Sequence, residues 1–296
     1  MKRLIIFLCL FCLCALFLHI VVPRFFDYPP FDHTNHKDTS VENDLYFHSD
    51  KVLQGKEKTT NEEYDAAISD FDDAIAENPK DAVAYFYRGQ TNFFQKRFFA
   101  AITDLNNAIR LNPDYSDAYY YRGLSNRDLN QMYAAIADYS DAIRLNPKHA
   151  FAYYHRGRAY IKRDSPYDPI TKLADKKQAM ADFDTVIKLD PEFVNAYLSR
   201  AELREKDFRY SDRINSSVLT DYNTAIRLAP DYALAYYFRG LYRNSVVGEW
   251  TLEATEDIQT ALKLAEQAGD IAFKREIEAE VERISEMRHL WKSLQK

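Results

Sequence analysis

The chain has 296 residues, of which 28% are charged, and its formal net charge is −6. A domain that grips nucleic acid normally presents a basic stripe, so this balance argues against DNA or RNA as a partner. All three cysteines, Cys9, Cys12 and Cys14, stand in the first fourteen residues; the rest has no disulfide or thiol chemistry and identifies no redox compartment.

Lys2 and Arg3 precede nineteen residues, Leu4 to Val22, without a formal charge. A helix of that length reaches about 28 Å, close to the thickness of bilayer hydrocarbon. Residues 1–22 are expected to form an uncleaved membrane anchor, with the basic flank cytoplasmic and the remainder across the membrane, in the periplasm if the source is bacterial. The alternative is a cleaved secretory signal and a secreted product. Only Cys12-Leu13-Cys14 approximates its small-x-small site, and mostly apolar residues continue beyond it. A lipoprotein signal fits worse, because Leu8, Phe11 and Leu13 precede the cysteines. Residues 23–47, with Pro23, Pro29 and Pro30 and no helical or strand period, read as a tether. His33 and His36 beside Asp32 and Asp38 could hold a metal weakly, but without a second ligand cluster a solvated linker is expected.

The body of the chain repeats itself. Ala84 to Gly89, Ala101 to Leu105 and Ala108 to Pro113 return at Ala118 to Gly123, Ala135 to Tyr139 and Ala142 to Pro147, a period of 34 residues. With each unit counted from 1 to 34, small residues fall at positions 8, 20 and 27, large apolar ones at 4 and 24, and proline at 32. Small residues let two helices approach, the large ones fill the space between them, and proline ends a helix because it lacks an N–H. This pattern resembles the tetratricopeptide repeat family, whose unit is a helix-turn-helix of that period. The resemblance implies an all-α, right-handed solenoid of about six repeats, expected as one elongated array over 48–268.

The expected units are 48–81, 82–115, 116–149, 150–193, 194–232 and 233–268. The first keeps Gly55, Ala67, Phe71, Ala74 and Pro79, but Lys51 replaces the large residue at position 4, so its opening helix should be polar and act as a cap. The fourth carries ten extra residues in Arg163 to Asp175, where Pro166 and Pro169 interrupt the helical pattern, and the fifth carries five near Phe208 to Ser217. Both insertions join the first helix of a repeat to its second and should emerge on one edge. Residues 269–296 place Phe273, Ile277, Val281, Ile284, Met287, Trp291 and Leu294 at three- and four-residue steps. This final helix is expected to cover the open end of the array, with self-association through the same stripe as the second reading.

In this family the first helices line a concave groove through positions 2, 5, 9, 12 and 13. The resemblance therefore nominates Phe86, Gln90, Phe93, Tyr120, Arg127, Tyr154, Arg158, Lys162, Glu202 and Tyr237 as groove residues. An extended or helical peptide with aromatic or apolar anchors and some acidic character would match them. Arg88, Arg122, Arg156, Arg200 and Arg239 recur at position 7; they suit an anionic ligand, but a residue present in every repeat is expected to serve the repeat's own bonding. The lysine-asparagine pair of the chaperone-tail clamp is absent from positions 5 and 9.

Seven scattered glycines form no phosphate loop, and neither H-E-x-x-H nor G-x-S-x-G occurs. No enzymatic activity, cofactor, metal or nucleic acid is expected. The residues point to a membrane-tethered interaction module that binds protein or peptide, or alternatively to an assembly component of an envelope complex that makes its contacts through the insertions and last helix.

Overall fold

The computed structural model describes residues 50–163, 169–208, 216–247 and 251–294. Within these, thirteen helices and no strands occur: α1 (Asp50–Thr60), α2 (Tyr64–Glu77), α3 (Ala82–Phe94), α4 (Phe98–Leu111), α5 (Ser116–Asp128), α6 (Met132–Leu145), α7 (Ala150–Lys162), α8 (Pro169–Leu189), α9 (Val194–Phe208), α10 (Ser216–Leu228), α11 (Ala233–Val247), α12 (Leu252–Gln267) and α13 (Ile271–Leu294). The expected anchor, the tether and the histidines at 33 and 36 lie outside the described residues, as do residues 164–168 and 209–215 of the two insertions. Among the described residues no helix is long and apolar enough to cross a membrane.

The helices form two compact units, divided between Asp182 and Phe183 inside α8. In the first unit α1 pairs with α2, α3 with α4 and α5 with α6, and each second helix also packs on the next first helix. The first helices α1, α3, α5 and α7 touch in succession and so make one layer. In the second unit α9 pairs with α10 and α11 with α12, and α13 packs on α12.

Local chemistry sets where these helices stop. Asn78, Asn112 and Asn146 leave α2, α4 and α6 in extended backbone while their N–H groups still reach Ala74, Ala108 and Ala142. Each asparagine precedes a proline, whose ring excludes helical backbone at the residue before it. Their side chains then accept from the N–H groups of Lys80, Asp114 and Lys148, which closes the turn into the next helix. Inside each hairpin the turn needs one left-handed residue, and Glu62, Lys96 and Asn130 supply it with φ of 62°, 60° and 60°.

Close approach within a hairpin comes from position 8. A Cβ on Gly55 would stand 2.6 Å from the Phe71 ring, one on Gly89 2.9 Å from Leu105, and one on Gly123 2.7 Å from Tyr139. The facing Ala67, Phe71, Ala101, Leu105, Ala135 and Tyr139 are fully buried, so these glycines seat the core of the first unit. Lys51 pairs with Asp73 and Glu77 on α2, so the opening helix is polar as expected.

Two expectations change in detail. Pro169 does not interrupt a helix; it opens α8 from the first turn, where its missing N–H costs nothing, and α8 is extended to 21 residues against 14 in α2, α4 and α6. On α13, Phe273 and Ile277 are buried whereas Val281 and Ile284 are half-buried.

Replacing Gly123 with alanine forces a methyl into the Tyr139 ring. Alanine's better helix propensity returns about 1 kcal/mol, less than overpacking costs, and a net loss of roughly 1–2 kcal/mol is expected as a lower urea midpoint. Lys96→Gly removes left-handed strain and should raise the thermal midpoint, by about 0.5–1 kcal/mol of stability.

Candidate functional site

The recurring arginines are held inside the repeats. Arg88 donates through Nε and Nη2 to Asp104 at 3.0 and 2.6 Å, and through Nη1 to Asp72 of the preceding repeat at 2.5 Å. Arg122 does the same to Asp138 and Asn106, Arg156 to Asp182 and Ser140, Arg200 to Asp221 and Asp184, and Arg239 to Asp257 and Asn223. The tyrosine at position 4 lies under each guanidinium, with Tyr119 5.3 Å from Arg122 and Tyr85 5.5 Å from Arg88. Burial alone would lower the basicity of Arg88, but hydrogen bonds and charge from Asp104 and Asp72 raise it overall. Burial pushes the Asp138 carboxyl up, and Arg122 and Asn126 offset part of that. The arginines thus serve the repeats' own bonding, and the aspartates that hold them, unremarked in the sequence, stand in register at position 23.

The nominated tyrosines are closed off. Tyr120 is 1% exposed and Tyr154 is fully buried, so neither presents a surface to a peptide. Tyr120 is packed by Tyr121, His149 and His155, with ring centroids 5.3, 4.6 and 5.9 Å away, and burial pushes its phenol well up. Tyr154 meets His155 edge-on at 5.1 Å. Phe86 is buried against Tyr115 and Tyr121, and Phe93 against Phe94, Phe98 and Tyr121. In the second unit, Tyr237 is covered by Phe273 of α13 at 5.6 Å, and Glu202 is buried. The physical reason is size. An aromatic ring at position 5 reaches the first helix of the next repeat and fills the seam between the two.

His149 and His155 form that seam between α5 and α7, and sequence reasoning missed both. His149 caps α7: its Nδ1 accepts from Ala152 N at 3.2 Å, which leaves the proton on Nε2, 3.4 Å from Asp117 Oδ1. His155 Nδ1 lies 3.1 Å from Arg127 Nη1. Burial lowers the basicity of His155 well below the usual range, and the charges of Arg127 and Arg158 lower it further. His155 is therefore neutral and accepts from Arg127, whose Nε also donates to Asp128 at 2.8 Å.

Of the nominated residues in the first unit, those still reachable are polar. Gln90 and Arg158 are half-buried, Lys162 is exposed, and Phe94, Asp128 and Ile161 are half-buried beside them on the same layer of first helices. Arg127, although 4% exposed, adds its charge beneath. Among the described residues no group of three or more His, Cys, Asp or Glu side chains is placed to hold a metal ion.

The tetratricopeptide repeat family model matches residues 52–104 and 93–150. Residues 52–150, about a third of the chain, thus match tetratricopeptide repeats. A tetratricopeptide repeat protein from Parabacteroides merdae is 18% identical over 80% of this chain and 91% of its own, with a TM-score of 0.56. MamA is 23% identical over 61% of this chain and 96% of its own, with a TM-score of 0.51. YrrB, a tetratricopeptide repeat protein with an unusual peptide-binding site, is 18% identical over 68% of this chain and 96% of its own, with a TM-score of 0.51. At these identities the likeness is one of fold. No curated protein matches the sequence significantly.

The repeat's arginine can be tested through its aspartate. Arg122→Met leaves the Asp138 carboxylate buried with the Asn126 amide still donating to it, and should cost about 2–3 kcal/mol at pH 7. A folded-state carboxyl raised above its unfolded value binds more protons in the folded chain, so stability falls as pH rises through that window. The substitution moves the window upward, and the gap in melting temperature between variant and parent should shrink from pH 7 to pH 5.

Proposed function

We propose that this chain is a protein–protein interaction module, tethered to a membrane by Leu4 to Val22, whose first unit takes an acidic peptide segment against α3, α5 and α7. The observation that carries the reading is the combination of buried aromatics with partly exposed cations. Packing removes Phe86, Tyr120 and Tyr154 from reach, which leaves Arg158 and Lys162, with Arg127 beneath them, in a chain whose formal charge is −6. A carboxylate laid there would meet the Arg158 guanidinium and the Lys162 ammonium, with the buried Arg127 adding only its field, while Phe94 and Ile161 offer a short apolar contact. Recognition by charge with a minor apolar anchor replaces the aromatic ladder that the family pattern suggested. The shared fold with YrrB is consistent with peptide capture by repeats of this kind.

The tether rests on the nineteen uncharged residues after Lys2 and Arg3, which would put the repeats on the non-cytoplasmic side; a secreted chain after cleavage is the other outcome. The mass of the mature protein distinguishes the two.

Fluorescence anisotropy with ten-residue peptides that carry several Glu or Asp and one aromatic residue tests the site. Binding to the parent, weakened about tenfold or more by Arg158→Glu with Lys162→Glu and unchanged by Phe99→Ala on α4, is the expected result. Indifference to the double charge reversal, or no binding by any acidic sequence, would sink it.

A further inference from the structure

The turns inside the hairpins of the first unit lie along one edge. Asp65 at the start of α2 accepts from Gln95 at 3.0 Å and from Arg97 at 3.4 Å in the next turn. Farther along, the Arg163 guanidinium sits 4.9 Å over the Tyr133 ring and pairs with Asp175, which fastens the start of α8 beside the first turn of α6. The order along the edge is therefore the α1–α2 turn, the α3–α4 turn, the α5–α6 turn and the extended start of α8.

This edge carries the first unit's largest exposed apolar side chains. Phe99 and Tyr133 occupy the same repeat position on α4 and α6 and are 71% and 67% exposed, and Leu173 on α8 is 67% exposed. Charge varies along the same line, and the exposed Lys96 and Arg97 of the second turn stand between its two ends. Glu62, Glu63 and Asp65 make the first turn acidic, whereas Lys172 and Lys177 stand exposed around Leu173, with Asp175 turned inward to Arg163.

We infer that this edge binds a second copy of the chain in antiparallel, two-fold symmetric register. An isologous contact sets residue i against j and j against i. Reversing the edge places Glu62 and Glu63 opposite Lys172 and Lys177 at both ends, and Phe99 opposite Tyr133 in the middle. Opposite charges outside and rings at the centre are the arrangement of a polar rim around an apolar core. An anionic bilayer would suit the α8 end but would meet Glu62, Glu63 and Asp65 on the same edge, and that mixture of signs favours a second copy. The surface is separate from the first-helix layer assigned to peptides, so each can fail without the other.

The full chain in neutral detergent is the sample, and its protein mass is read by light scattering after chromatography. The parent is expected at twice the monomer mass, and Lys172→Glu with Lys177→Glu is expected to weaken association about tenfold or more. Adding Glu62→Lys and Glu63→Lys to that variant should restore the dimer, and Phe99→Ser should abolish it while the thermal midpoint stays close to the parent's. Glu62→Lys puts at that left-handed position the residue that Lys96 already supplies in the next turn. A parent that is monomeric up to its solubility limit overturns the inference. So does a dimer that ignores the Lys172 and Lys177 reversals, as one held through α13 or the N-terminal segment would, or a dimer lost on reversal and not restored by the swap. Binding of a monomeric parent to vesicles of anionic lipid overturns it in favour of a membrane surface.

Discussion

One bonding unit recurs through both halves of the chain and orders everything around it: an arginine on a first helix, forked onto the aspartate of its own second helix and reaching back to the second helix before. Arg88, Arg122, Arg156, Arg200 and Arg239 each make this three-helix junction, with a tyrosine ring one turn earlier against the guanidinium. Apolar burial alone would let helices slide, since it is non-directional. A planar guanidinium with fixed donors does not tolerate sliding, because the same group must satisfy two carriers at once. The junction therefore sets the register between one repeat and the next, and the small residues at position 8 set how close the two helices of a hairpin come.

That register decides what becomes of the aromatic residues. With first helices held side by side, the ring at position 5 has a neighbour within reach, and Tyr120 is taken up by His149 and His155. The seam that results is polar as well as aromatic, since His149 caps a helix and His155 receives Arg127. Chemistry available to a partner is what the seam leaves over, which in the first unit is cationic on the first-helix layer and mixed in sign along the turn edge. Two surfaces of different character thus arise from one packing rule.

Most of the fold was legible from the amino acids. The spacing of Gly89, Ala101, Leu105, Ala108 and Pro113, returning in the next unit, specifies hairpins because each residue type answers a local steric demand. The structural role of the position 7 arginines was legible for the same reason, and their aspartate partners could have been found by counting Asp104, Asp138, Asp182, Asp221 and Asp257 into register. Pro169 was misjudged because proline marks both ends of helices, and only the surrounding turn tells which. The exposure of the nominated residues was not legible: Lys162 is open and Arg158 half-open, while Tyr120, Tyr154 and Tyr237 are closed.

Periodicity, small residues and prolines along the chain determined the kind of element, its length and its partner in the hairpin, since those follow from backbone sterics and from contacts between near neighbours. Which side chains face a partner was decided by tertiary structure alone. A residue's exposure depends on what the next repeat, or α13 in the case of Tyr237, lays over it, and that is a property of elements thirty or more residues away rather than of the residue's own position in a helix.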